Sequence, residues 1–401
     1  MGSIFESFLS TPEALEAFGE RSFIASMLRF EAALARAQAS CGLIPESASA
    51  HIARCCAVEL FDVVALVRGS GSAGSVAIPL IQALKQRVGQ LQPRAVAFVH
   101  FGSTSQDVID TASALATRVV LDAVEADLQR AIQALLVLAE RHADAPILAR
   151  TLSQPASVTS FGLKCALWAA PLARSLQRLR RAAGLALAVQ LGGAVGTQAQ
   201  MLGKGPEVAR LVARELGLRA PPAPWHTQRD EWVALACELG VMVGSLGKIA
   251  KDISLLGQWE VGEAWEPSEA GRGGSSAMPH KHNPVASMVA LSAAQRVPQH
   301  VAALLAAMPQ EHERALGAWQ AELAEWPPLW AAAHGSVRAM AQALPGLQVD
   351  TGRMLDNLQR LHAGLPAQAA QEWFAPALAS HAAGLARAQV TMLREQLKEF
   401  S

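Results

Sequence analysis

From Glu231 to Trp265 the chain runs without a proline, and Trp232, Leu235, Ala236, Leu239, Met242, Val243, Leu246, Ile249 and Ile253 recur on a helical period. At 1.5 Å per residue, an uninterrupted helix over this stretch would be on the order of 50 Å long. A rod of that length finds cover only beside other long helices, so the architecture it demands is an extended bundle. A second series, Leu128, Ala131, Ile132, Leu135, Leu138 and Ala139, keeps the same spacing. Apolar residues spill over more than one face of these helices, and a single chain has too little surface to bury them. Subunits are therefore expected to share the bundle.

Ala, Leu, Gln and Arg abound, Tyr is absent and strand-like alternation is scarce, so the whole chain reads as all-α. Pro93 and the stretch His100 to Gln106 divide off an N-terminal region, and Leu344-Pro345-Gly346 divides off a short C-terminal one. The expected regions are 1–105, 106–345 and 346–401. Inside the middle region, Ala220-Pro221-Pro222-Ala223-Pro224 reads as a rigid connector.

The 401 residues suffice for a large core, and a 51% apolar content excludes disorder. Charged residues make up 17% and balance to a formal net charge of +0, so no global field recruits nucleic acid or an anionic membrane. Attraction for an anionic substrate must then be local. Cys41, Cys55, Cys56, Cys165 and Cys237 have neither zinc-ligand nor disulfide-framework spacing, so no metal site is expected, and the N-terminus lacks a signal pattern. A reducing cytoplasm is the expected compartment. The uncharged span Ala182 to Gly203 has a membrane-like length, but Gln190, Thr197, Gln198, Gln200 and Gly192-Gly193 suit burial in protein better than lipid.

The chemistry concentrates in loops. Gly271-Arg272-Gly273-Gly274-Ser275-Ser276-Ala277-Met278-Pro279-His280-Lys281-His282-Asn283-Pro284 combines small permissive residues, hydroxyls, a cation and an amide. That mixture suits a segment that closes over a carboxylate while a proton moves, whereas a linker or a plain helix cap needs few of these residues. His100-Phe101-Gly102-Ser103-Thr104-Ser105-Gln106-Asp107 precedes a helical run and offers hydroxyls and N–H groups to an anion, although Ser-Thr-Ser in that place is also an ordinary cap. Pro224-Trp225-His226-Thr227-Gln228-Arg229-Asp230 unites an aromatic, an acid and an arginine; His226 and Arg229 fit a substrate site or a satisfied buried network equally well. Ala307 to Arg314 reads equally as a charged helix start.

The 271–284 loop resembles the signature loop of the fumarase/aspartase superfamily, and His100 to Asp107 resembles a second region of it. Gly192-Gly193-Ala194-Val195-Gly196-Thr197 resembles the superfamily's Gly-Gly-x-x-Gly-Thr stretch. A third region, Arg150-Thr151-Leu152-Ser153-Gln154-Pro155-Ala156-Ser157, has Pro155 where relatives usually carry a histidine, so that group's role is lost, moved or unnecessary. His282 stands where arginine is common, and Ser75 where asparagine is common. The segments at 224–230 and 307–314, with Phe30 to Gln38 and Gly42 to Glu46, resemble the bacterial 3-carboxy-cis,cis-muconate cycloisomerases.

That resemblance implies a fumarase/aspartase-like fold, a homotetramer with sites shared between subunits, a small di- or tricarboxylate substrate and no cofactor. The implied reaction adds a substrate's own carboxylate across a double bond, with a proton delivered to the carbon alpha to another carboxylate. Ser275 would handle that proton, Lys281 would stabilise the developing charge, and His100 would bind a carboxylate or carry protons. Ser103, Thr104, Ser105, Gln154, Ser276, Met278, Asn283, His226, Arg229 and Arg314 would bind substrate. Alternatives are a cycloisomerase for another 3-substituted muconate such as the sulfonate, a fumarate-releasing lyase, or a catalytically silent homologue.

Overall fold

The computed structural model describes residues 4–267, 273–274, 278 and 281–398. Helices dominate. The N-terminal part contains α1 (Glu6–Leu9), α2 (Pro12–Ala17), α3 (Glu20–Ser40), α4 (Glu46–Cys55), α5 (Val63–Ala73) and α6 (Ala77–Leu91). The centre contains α7 (Ser105–Arg141), α8 (Phe161–Ala186), α9 (Gly205–Leu216), α10 (Asp230–Leu256), α11 (Val285–Ala306) and α12 (Ala318–Ala343), and α13 (Thr351–Ala363), α14 (Ala367–Phe374) and α15 (Ala379–Lys398) follow.

The long helices α7, α8, α10, α11 and α12 pack side by side, and α10 lies against α8, α11 and α12. Leu235, Leu239, Met242, Val243 and Leu246 are fully buried there, as the helical spacing predicts. Across the bundle, the Trp232 ring stacks on Trp326 with centroids 3.9 Å apart and planes 17° from parallel. Outward on these helices Leu167, Val241, Leu255, Met288 and Leu305 are exposed, with Lys248 and Lys251 exposed among them on α10.

The all-α class holds, and one expectation needs correction, the length of the helix at α10. The helix begun at Asp230 ends at Leu256, well before Trp265. The apolar period lapses at Gly257, and Gly262 takes a positive φ of 60° that reverses the chain, so the Glu263 N–H returns to the Leu256 carbonyl at 3.0 Å. Strands are few but present. The hairpin β1 (Pro146–Thr151) and β2 (Gln154–Ser160) is antiparallel with an irregularity at Ala149/Arg150, and β3 (Ala264–Trp265) pairs with β4 (Gln348–Val349). The hairpin turn runs through Leu152 and Ser153, both left-handed, with φ of 50° and 62°. Turns of that hand follow the natural twist of two strands, which outweighs the weak local alternation.

The uncharged span Ala182 to Gly203 leaves α8 at Ala186 and continues as a buried, non-helical segment through Gly193. Among the described residues, only α10 has the length and hydropathy of a membrane span, and it is a helix of the bundle.

Candidate functional site

At the start of α7, Asp107 acts as a hub. Its carboxylate accepts hydrogen bonds from the Thr104 N–H at 3.0 Å and from the Gly192 and Gly193 N–H groups at 2.9 Å each. The Ser103 hydroxyl, at 3.3 Å, and His226 Nε2, at 2.7 Å, complete its shell. One buried carboxylate thereby ties the 100–105 loop, the diglycine turn and the 224–230 segment together. The glycines are required sterically. A Cβ on Gly192 would lie 2.6 Å from His226 Cε1, and one on Gly193, where φ is +70°, would lie 2.9 Å from the Gly102 carbonyl oxygen.

One turn further on, Asp110 accepts from Arg229 at 2.9 and 3.3 Å, from the Gln106 and Gln190 amides at 3.2 Å each and from Trp319 Nε1 at 3.0 Å. Arg229 also pairs with Glu322, and its guanidinium lies 4.4 Å above the Trp225 ring. Its side chain is 1% exposed and every donor nitrogen is engaged. Arg229 is the cation of a buried ion triad, one of the two arrangements the sequence left open, and it also lines the cavity beside the triad. His226, 4% exposed and bonded to Asp107, is likewise internal. Burial pushes the Glu322 carboxyl upward and Arg229 pulls against it, with a net rise. Beside the triad lies a cavity of about 530 Å3 lined by Trp232, Trp319, Trp326, Ser75, Ser113 and Glu322, among others.

Arg314 joins this end from the loop before α12. It donates to the Thr104 hydroxyl at 3.0 Å and to the Gly193 and Ala194 carbonyls at 3.3 and 3.0 Å. His100 sits above the same loop with Nδ1 2.6 Å from Glu31 Oε1. Burial works against its charge, but Glu31 outweighs burial and the imidazole titrates above its ordinary value. Ser105 is the first residue of α7.

The second group of residues lies at the other end of α10. Asn283 and His282 line a cleft of about 240 Å3 with Gly257, Trp265, Glu266 and Pro267. The Asn283 N–H bonds the Gly273 carbonyl at 2.8 Å, and Gly274 pairs with His282 across the base of the loop. Gly273 has a φ of +72°, and a Cβ there would lie 2.5 Å from the Asn283 carbonyl oxygen. Glu266 accepts from the N–H groups of Ala286 and Ser287 at 2.9 and 2.7 Å, which fixes the start of α11. Met278 and Lys281 are exposed, with the Lys281 N–H on the Met278 carbonyl at 3.0 Å. Ser275 and Ser276 lie outside the described residues. Gln154 opens β2, exposed beside the hairpin turn. That hairpin is held at the same end of the bundle by the Arg150–Glu263 ion pair at 2.8 Å.

The chain thus brings Ser103, Thr104, Ser105, His100, His226, Arg229 and Arg314 to one end of α10, and Gln154, Met278, Lys281 and Asn283 to the other. The 27 residues of α10 separate the ends by roughly 40 Å. Sequence reasoning missed the carboxylates Glu31, Asp107, Asp110, Glu263 and Glu322, which organise both ends. Asp107 stood in a quoted motif, Asp110 just after it and Glu31 within the Phe30 to Gln38 stretch; Glu263 and Glu322 carried no local signal.

Residues 8–298 match the lyase family. The 3-carboxy-cis,cis-muconate cycloisomerase of Bradyrhizobium diazoefficiens is 45% identical over 369 residues, which is 92% of this chain and 82% of that protein. Its counterpart in Pseudomonas aeruginosa is 45% identical over 91% of this chain and 80% of that one. The solved 3-carboxy-cis,cis-muconate lactonizing enzyme of Pseudomonas putida superposes with a TM-score of 0.84 at 39% identity, covering 99% of this chain and 90% of that chain. With its long-helix bundle, its Asp107-centred loop and these matches over most of its length, the chain belongs to the lyase family of the fumarase/aspartase superfamily.

Proposed function

We propose that this chain is a cycloisomerase that converts 3-carboxy-cis,cis-muconate to 4-carboxymuconolactone. The observation that carries the reading is 45% identity, over 92% of the chain, to a relative of that name. In the reaction a carboxylate oxygen of the substrate bonds to an alkene carbon. The electron pair of that double bond passes to the carbon alpha to another carboxylate, which takes up one proton. Reactant and product are isomers, and no redox partner enters. Because the nucleophile is tethered, catalysis consists of holding a near-attack geometry and stabilising enolate-like charge.

Ser275 is assigned the proton delivery, with Lys281 and Asn283 at the carboxylate that accumulates charge, Ser276 and Met278 beside them, and Gln154, Ser103, Thr104 and Ser105 positioning the rest. Arg314 braces Thr104, and His226 acts through Asp107. With roughly 40 Å between the two groups in one chain, a complete site takes residues from more than one copy. The reading therefore includes a homotetramer, with regions 1–105, 106–345 and 346–401 and the outward face of the bundle as the shared surface. Five free cysteines suit a reducing cytoplasm.

A cycloisomerase for 3-sulfomuconate is the second reading, favoured by one observation: Pro155, exposed beside the hairpin turn, has no titratable group and no N–H to offer a planar carboxylate. The test follows ultraviolet absorbance of both muconates with purified protein, since lactone formation destroys the conjugated diene. Faster loss of the carboxy substrate supports the main reading, and preference for the sulfonate supports the second. No loss of either, or full activity in Ser275→Ala, overturns the assignment.

A further inference from the structure

We propose that Glu31 is a positioning residue that fixes the His100 ring and holds it doubly protonated, so that Nε2–H serves as a cationic donor to a substrate carboxylate. The proposal rests on the function argued above and decides between the two roles open to His100, assigning it carboxylate binding over proton transfer.

Glu31 lies on α3, 69 positions before His100, with its side chain 1% exposed and Oε1 2.6 Å from His100 Nδ1. Its other oxygen, Oε2, is buried without a hydrogen-bond partner. A carboxylate so enclosed needs a cation in contact, and among the described residues the one bonded to it is the His100 ring. The loop is built to deliver that ring. His100 adopts a left-handed backbone, φ +61°, and the Gln38 amide, one helical face along α3, donates to the Phe101 carbonyl at 2.6 Å. A non-glycine residue persists in that conformation only where its surroundings hold it.

The groups facing the ring set its charge between them. Glu31 from α3 and Asp107 from α7 favour the imidazolium, while Lys85 from α6 and burial oppose it, and the balance favours the charged form. Cys56 beside Glu31 is a partly buried thiol pushed upward first by desolvation and then by Glu31, so it stays neutral and adds no competing charge. With Nδ1 engaged by Glu31, Nε2 is left without a partner among the described residues, and the ring is 15% exposed. In the imidazolium, Nε2 carries a hydrogen and no lone pair. It can donate to an anion but cannot accept a proton.

Diethyl pyrocarbonate acylates only the neutral imidazole, so its rate of reaction at His100, read by peptide mass spectrometry across pH, reports the ring's charge. In the wild type the midpoint should lie above the ordinary imidazole value of about 6.5, and in Glu31→Gln it should fall. With 3-carboxy-cis,cis-muconate, Glu31→Gln should raise KM roughly tenfold at pH 8, with kcat within about threefold, and the KM gap should narrow as pH falls and the ring recharges. Glu31→Asp, which keeps the charge, should recover part of the midpoint shift. A wild-type midpoint at or below the ordinary value overturns the proposal without any variant. So does a Glu31→Gln effect confined to kcat, which would make His100 a proton carrier. If the muconate is not turned over at all, the function is wrong, and the modification midpoint still decides the state of the ring.

Discussion

Arg314 donates to the hydroxyl of Thr104 at 3.0 Å across 210 positions of sequence, and the same guanidinium reaches the Gly193 and Ala194 carbonyls. It therefore joins three segments whose loops converge at one end of the bundle. Hydrogen bonds from a charged donor contribute about 1.5–3 kcal/mol each. Arg314→Ala is expected to lower kcat/KM roughly 10- to 100-fold, since one such bond is worth about that factor. Arg314→Lys should recover little of it, because an ammonium cannot span three acceptors in a planar fork. Steady-state kinetics on both variants, with circular dichroism as a folding control, checks this; wild-type kcat/KM in Arg314→Ala would remove Arg314 from the site.

Arg229 is a different kind of residue, although it lies in the same neighbourhood. It balances Asp110 and Glu322 inside the protein, so Arg229→Ala leaves two carboxylates without their cation. Breaking a buried ion pair in this way costs about 3–5 kcal/mol. Glu322→Gln leaves the Arg229–Asp110 pair intact and should cost less than half as much. Denaturant unfolding at fixed protein concentration measures both, and equal losses in the two variants would contradict the triad.

How much of this was legible beforehand depended on range. The Trp232 to Ile253 period gave α10 because its packing repeats every turn, and the Thr104 position gave the start of α7 because a cap is a local matter. The hairpin at 146–160 was missed: Leu152 and Ser153 are poor residues for a left-handed turn, and what holds the hairpin includes Glu263, more than a hundred positions away. His226 and Arg229 were balanced between binding and burial, because nothing near them in sequence names Asp107 and Asp110 as their partners. Glu322 carries no motif at all. The residues that organise the site are acids paired across long separations, and a single sequence does not display such pairings.

Acid should weaken the chain through Asp127. Burial pushes its carboxyl upward, but the hydrogen bonds from His334 and Arg338 outweigh burial and hold it below the usual carboxylate range. These partners, at 3.2 and 2.5 Å, link α7 to α12, and the Thr11 hydroxyl on His334 Nδ1 extends the link to α2. A depressed carboxyl stabilises the fold fully above its unfolded pKa of about 3.9, and the contribution disappears as pH falls through the folded value. Asp127→Asn should therefore be less stable than wild type by about 3–5 kcal/mol at pH 7, with the gap narrowing only below about pH 4. Urea unfolding at pH 7, 5 and 3.5 reads the difference. A gap that closes already between pH 7 and 5 would contradict the assignment to Asp127.

The two ends of α10 make one further demand. His100 and Arg314 stand at its start, Lys281 and Asn283 beyond its end, and no rotation of side chains closes a gap of roughly 40 Å. If the reaction uses both groups, a site draws them from different copies, and two damaged chains can repair each other. Lys281→Ala should be nearly inactive alone, and Arg314→Ala should keep about 1–10% of the wild-type kcat/KM. Co-assembled from mixed denatured chains, they should regain activity, because some sites then receive the intact Arg314 from one copy and the intact Lys281 from another. In a random tetramer only a fraction of sites is whole, so recovery should reach no more than about a quarter of the wild-type rate per chain. Mixing folded tetramers without denaturation serves as the control, as subunits that do not exchange cannot complement. Absence of recovery after co-assembly, with tetramers verified by light scattering, would mean that each chain supplies its own site and that the signature loop reaches the His100 end by another route.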